Sequence, residues 1–197
     1  MSHIDQLLDA IARRNDNLLS RGEVLHAGGT DRLIADRVQR GLWQPVQAGV
    51  YLLGSAPPTW AQQLRAAVAA AGPFAQVGLR AAILRWGMSG IAAAPVEIVA
   101  PHSGPALVDG VIVHRSRRVE TPVLLGGIPT TGVERSLLES GAVCPLVVIE
   151  KATASAIRLR LTSETKLDAY LAVHGGKGRR GVTKLRTALE LFRDQGG

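Results

Sequence analysis

The chain predicts an α+β protein: a winged helix-turn-helix over residues 1–55, then a mixed α+β body rich in helices over residues 56–197. Residues 20–54 run through two short helical patterns, broken at Gly28-Gly29, into an alternating segment centred on Ala48-Gly49. Beyond them, β-rich runs occur only mid-chain, between helical stretches. A length of 197 residues at 46% apolar content suffices for two small cores.

The first helix is expected over Ile4 to Arg13, where Ile4, Leu7, Leu8 and Ile11 recur at three- and four-residue spacing as one apolar stripe. Such a helix packs rather than reads. A second helix starts at Ser20, whose hydroxyl caps free amides while Glu23 completes a capping box, with Val24 and Leu25 turned inward. Thr30 caps a third, TDRLIADRVQRG, with Leu33, Ile34 and Val38 toward the core and Arg32, Asp36, Arg37, Gln39 and Arg40 outside. Gly41 closes it, and LWQPVQAGVYLLG follows as a hairpin, the wing.

In the body, TWAQQLRAAVAAAGP and GLRAAILRWGM are helical, with Trp60 and Trp86 in the core. PVEIVAP (95–101) and ALVDGVIVHRSRR (106–118) read as two neighbouring strands. TTGVERSLLESGAV (130–143) is a helix with a threonine cap, and PLVVIEKATASAIRLRL follows as another after Pro145. TSETKLDAYLAVHGG is capped by Thr162 or Ser163 and ended by Gly175-Gly176, and RGVTKLRTALELFRDQ makes the last helix. Glu134, Arg135, Glu150 and Lys151 are read as surface or helix-packing charges.

The net charge of +7 is unevenly placed. Residues 1–55 hold six arginines against six acids, whereas the body carries 17 basic and 10 acidic side chains. HGGKGRRGVTKLR supplies Lys177, Arg179, Arg180, Lys184 and Arg186 with no acid between them, and VIVHRSRR supplies Arg115, Arg117 and Arg118. Such clusters can neutralise phosphates, and they can equally stand solvated. GGKGRRG is not a Walker motif, because its glycine spacing differs and no Ser or Thr follows Lys177. Aromatics, at 4%, leave no platform for stacking single-stranded bases. Cys144, the one cysteine, reads as a lone buried thiol. The opening MSHIDQLLDAIARRND lacks the apolar centre of a secretory signal and no run is long enough for a membrane span, so a cytoplasmic protein is expected.

On the third helix, Arg32, Arg37 and Gln39 are candidates for base edges, since arginine and glutamine bond in pairs to guanine and adenine in the major groove. Thr30 and Arg40 are candidates for phosphates, as are Gln44, Gln47 and Tyr51 of the wing and Arg115, Arg117, Lys177, Arg179, Arg180 and Lys184 of the body. His26, His102, His114 and His174 are scattered, and no Ser-His-Asp, Cys-His or paired-carboxylate set can be assembled, so neither catalysis nor a metal or other cofactor is expected. The partner expected is double-stranded DNA, bound as a monomer or a homodimer. Three-helix units with a hairpin also occur in proteins that bind only proteins.

GTDRLIADRVQRGLWQPVQAGVYLLG, RAAILRWGM, VIVHRSR, GIPTTGVERSLLE and GRRGVTKLR, in this order across nearly the whole chain, resemble the AbiEi-type antitoxin family of actinobacterial transcriptional regulators. The resemblance implies a winged-helix head on operator DNA, often autoregulatory, and a body that in true antitoxins counters a nucleotidyltransferase toxin encoded beside it. Longer relatives continue into an endonuclease-like domain with carboxylates for metal; this sequence stops at GRRGVTKLRTALELFRDQGG, so that chemistry is not expected. Gly78-Leu79 stands where relatives often show Ser-His before the arginine matching Arg80. If that pair serves the antitoxin role, its loss argues against toxin neutralisation and leaves DNA binding untouched. The expectation is therefore a sequence-specific DNA-binding repressor, of phage or prophage kind or autoregulatory, with a type IV antitoxin as the alternative.

Overall fold

Helix α1 (His3–Arg14) opens the computed structural model, which describes residues 3–103, 108–118, 120–176 and 178–194. Strand β1 (Leu18–Ser20) follows a turn in which Asp16 and Asn17 both take positive φ. Ser20 then caps α2 (Arg21–His26) through the full capping box with Glu23, and Thr30 caps α3 (Asp31–Gln39) by accepting from the Leu33 amide at 3.1 Å. Strands β2 (Trp43–Gln47) and β3 (Val50–Leu53) complete an antiparallel sheet in the order β1-β3-β2. This succession of helix, strand, helix, helix and hairpin is the winged-helix arrangement the sequence predicts. Its core is Leu8, Ala12, Leu19, Val24, Ile34 and Trp43. Two positions differ from expectation: Leu7 and Leu25, placed in the apolar stripes, are 40% and 36% exposed, because the helices are short and bury narrower faces.

Helix α4 (Trp60–Ala71), capped by Thr59 in a second capping box with Gln62, lies between the head and the body. Ala66 packs against Leu18, Val50 and Leu52 of the head sheet, while Leu64, Ala67, Val68 and Ala71 belong to the body core with Val77, Ile98 and Ile128. The alanine run thus has a packing reason, since small side chains let both layers approach one helix. Arg65 tightens the junction, donating to Asp16 Oδ2 at 2.9 Å and to the carbonyls of Gly126 and Gly127 at 2.8 and 3.2 Å.

The body sheet runs β6-β5-β4-β8-β7. Strand β4 (Gln76–Val77) is central, β5 (Glu97–Pro101) and β6 (Ile112–Ser116) are parallel neighbours, and β7 (Val123–Leu125) with β8 (Ile128–Thr130) forms a hairpin across Gly126-Gly127. Helix α5 (Leu79–Arg85) leads from β4 into a second core, built with α6 (Val133–Ser140), α7 (Leu146–Arg158), α8 (Glu164–His174) and α9 (Val182–Asp194). Trp86 joins the two cores and donates its indole N–H to the Thr131 carbonyl at 2.9 Å. The threonine cap expected for α6 is absent: Gly132 is the cap, because the Thr131 hydroxyl is bonded to Ser136 Oγ at 2.7 Å. Arg135 is 2% exposed and paired with Glu139, a helix-packing charge in the strict sense. Among the described residues no helix is long and apolar enough to cross a membrane.

Candidate functional site

Two surfaces collect the sequence-predicted residues, and the first is the outer face of α3. Arg32 and Gln39 are exposed there and make no hydrogen bond among the described residues. Arg40 reaches Asp36 at 3.4 Å, a solvated pair with little hold on either side chain. Asp31, at the helix start, is held by Arg21 through two bonds of 2.7 and 2.8 Å, and that contact lowers its carboxyl below the ordinary range. Gln44 is exposed on β2.

Three residues assigned to this surface are engaged elsewhere. Arg37 turns back to Asp5 of α1 at 2.8 Å, its side chain only 21% exposed, so it ties α3 to α1. Gln47 donates to the carbonyl of Asp109 at 2.7 Å and thereby fastens the hairpin to the body. Tyr51 is half-buried, packed against Trp43 with ring centroids 6.0 Å apart. The hairpin also ends in a two-residue turn whose Gly49 carbonyl accepts from the Arg21 amide at 2.7 Å, so its tip is tied down beside α2.

The second surface is a groove of about 640 Å³ on the body, where two basic segments 60 residues apart in the chain converge. Arg115, Arg117 and Arg118 line it from the end of β6, and Arg179 and Arg180 from the loop before α9. Arg115 and Arg179 are anchored on the carbonyls of Pro101 and His174, at 2.7 and 2.8 Å. Arg135 fixes the β6 exit from beneath, donating to the Arg118 carbonyl at 3.1 Å. Arg117 and Arg180 have no partner among the described residues. Lys184 leaves the set: its ammonium is spent on the Cys144 carbonyl at 2.6 Å, in the turn between α6 and α7. Lys177 lies outside the described residues.

What lines the groove between these arginines carries no local signal in the sequence. Glu139 is one such residue; burial pushes its carboxyl up, against the pull of Arg135, and its Oε2 is buried with no partner. Val143, 43% exposed, makes an apolar wall backed by Leu79 and Leu138, which are 3% and 1% exposed. Leu79 takes φ 47°, and a Cβ at Gly78 would sit 2.4 Å from Val99 Cγ2, so a serine at 78 would need Val99 to move. Beneath this wall Glu97, fully buried, accepts from Arg80 Nε and Nη2 at 3.0 Å each and from the Arg80 amide at 3.1 Å, and lies 2.7 Å from His114 Nε2. Burial alone would raise this carboxyl, but the hydrogen bonds of His114 and Arg80 outweigh it and hold it below the ordinary range.

Among the described residues no three His, Cys, Asp or Glu side chains gather to hold a metal ion. Cys144 is a free, buried thiol, raised by that burial and unsuited to nucleophilic work.

The fold is similar to that of the RV2827C protein from Mycobacterium tuberculosis, with a TM-score of 0.59 and 17% identity over 98% of this chain and 76% of that one. At that identity the likeness shows a common fold alone. No family model matches the sequence, and no curated protein does.

Proposed function

We propose that the chain is a sequence-specific double-stranded DNA-binding regulator of transcription, a repressor working in the cytoplasm, with α3 as the helix that enters the major groove. One observation carries this reading. In a winged-helix head fastened to the body through α4 and Gln47, the outer face of α3 stays uncovered and presents Arg32, Gln39 and Arg40. Free arginine and glutamine at a helix surface match paired acceptors on guanine and the donor-acceptor pair on adenine. Thr30 at the cap and Gln44 on β2 flank that face and suit phosphates, which set register without reading sequence.

Electrostatics limit the contribution of the head. On α3 itself Asp31 and Asp36 offset Arg32 and Arg40, so this face supplies little non-specific attraction and its affinity must come from fitted contacts. Selection of duplexes from a random pool, followed by titration at fixed salt, tests the reading. The expected result is one enriched site bound in the nanomolar range, weakened when Arg32 or Gln39 is replaced by alanine. Enrichment of no sequence, with uniform weak binding at low salt, would overturn it.

A further inference from the structure

The groove on the body carries charge that the head lacks. Residues 1–55 hold six basic and six acidic side chains, so the whole net charge of +7 falls on residues 56–197. Five of the body's arginines converge on the groove from two segments, 115–118 and 179–180. Several are set in place before any ligand arrives: Arg115 and Arg179 lean on the carbonyls of Pro101 and His174, and Arg135 bonds the carbonyl of Arg118 from beneath. Arg117 and Arg180 stand exposed with no partner among the described residues, so their guanidiniums are unspent. The one acid among the described lining residues offers the groove no free anion, since Glu139 Oε1 accepts from Arg135 at 2.9 Å and its Oε2 is buried. Gly176 and Gly178 line the groove with open space beyond both, which lets a ligand come close to the backbone.

We propose that this groove grips the phosphodiester backbone of duplex DNA, a second contact that rests on the regulator reading and supplies the attraction its formally neutral head lacks. Guanidinium forks match phosphate oxygens in pairs, and Arg117 and Arg180 offer such forks from opposite segments. Contacts of this kind hold the protein on any sequence, whereas α3 chooses one. The described lining residues include no Phe, Tyr or Trp, the platforms on which single strands stack their bases, so the double strand is the partner that fits.

Anisotropy titrations of the full chain with a labelled mixed-sequence duplex, repeated over a range of salt concentrations, test the proposal. Joint replacement Arg117→Ala and Arg180→Ala removes two cations and no contact, so the circular dichroism spectrum should not change. Affinity for every duplex should fall by about tenfold at low salt, and the slope of log affinity on log salt should drop by about two. Gln39→Ala, which changes no charge, should lower preference for the enriched site and leave that slope as it is, so the two readings fail separately. An enriched site together with an unaltered slope in the double-arginine variant keeps α3 and overturns the groove. No enriched site, with the slope still falling in that variant, keeps the groove and sinks the α3 reading. A single strand that binds more tightly than the duplex at equal phosphate concentration would also overturn the proposal, by making the partner single-stranded.

Discussion

Asp5 of α1 holds Arg37 of α3 at 2.8 Å, so the arginine nearest the middle of the exposed helix secures that helix instead of facing outward. Both side chains are largely covered, and such a pair stabilises by about 1 kcal/mol. Arg37→Ala is expected to lower the melting temperature by a few degrees and to leave base preference intact. Arg32→Ala should do the reverse, with an unchanged melt and a loss of about 1–3 kcal/mol of discrimination at one base pair. Melts together with titrations on base-substituted duplexes separate the two. Loss of base preference in the Arg37 variant alone would return Arg37 to the reading face.

The Glu97 knot gives the body an acid limit. Its folded carboxyl lies below the ordinary value of 4.5, so its share of stability is complete above that pH and is lost as pH falls through the folded value. Glu139 has the opposite sign: its raised carboxyl binds a proton more readily in the folded state, so its share declines as pH rises past the ordinary carboxyl value. Glu97→Gln should cost about 3 kcal/mol at neutral pH, because Arg80 and His114 lose their anion, and should flatten the acid limb of the stability curve. Urea unfolding across the acid range measures both effects. An acid limb as steep in the variant as in the parent would place the sensitivity elsewhere.

The local elements were legible because their signals are local. Ser20 with Glu23, Thr30 and Gly28-Gly29 fix the head helices through hydrogen bonds and φ preferences within a few residues. The β7–β8 hairpin had such a signal too, since Gly126-Gly127 both take positive φ in the two-residue turn that joins facing strands, but the LLGGIP segment lacks the alternation that marks a strand. Strand β4 is two residues long and carries no period at all. What a side chain does across the fold was not legible. Arg37, Gln47, Tyr51 and Lys184 look outward in the pattern, and each is taken by a partner brought up by tertiary packing. The convergence of residues 115–118 with 179–180 likewise depends on α6 lying between them.

Two glycines of the GGKGRRG segment, Gly175 and Gly181, serve close packing. A Cβ on Gly181, where φ is 88°, would fall 2.0 Å from the Leu138 carbonyl oxygen, and one on Gly175 would fall 2.3 Å from that of Leu171. Backbone cannot yield as a flexible side chain does, so Gly181→Ala should destabilise the protein by about 3 kcal/mol through strain and overpacking together. It should also loosen Arg179 and Arg180 over the groove. Amide exchange across α9 is the direct measure, and protection as strong in the variant as in the parent would mean the loop has room to shift.

The position of α4 decides where the head ends. Leu18, Val50 and Leu52 are at most 3% exposed in the whole chain, and Ala66 of α4 shares their cluster. A fragment of residues 1–55 therefore bares an apolar sheet face that α4 normally covers, and also loses the Arg65 bond to Asp16. Such a fragment is expected to be aggregation-prone or poorly ordered. In the intact chain, Ala66→Leu should cost about 1–3 kcal/mol by overpacking, with no change at the groove. A monomeric, cooperatively folded 1–55 fragment would show that the head is complete without α4 and that the helix belongs to the body alone.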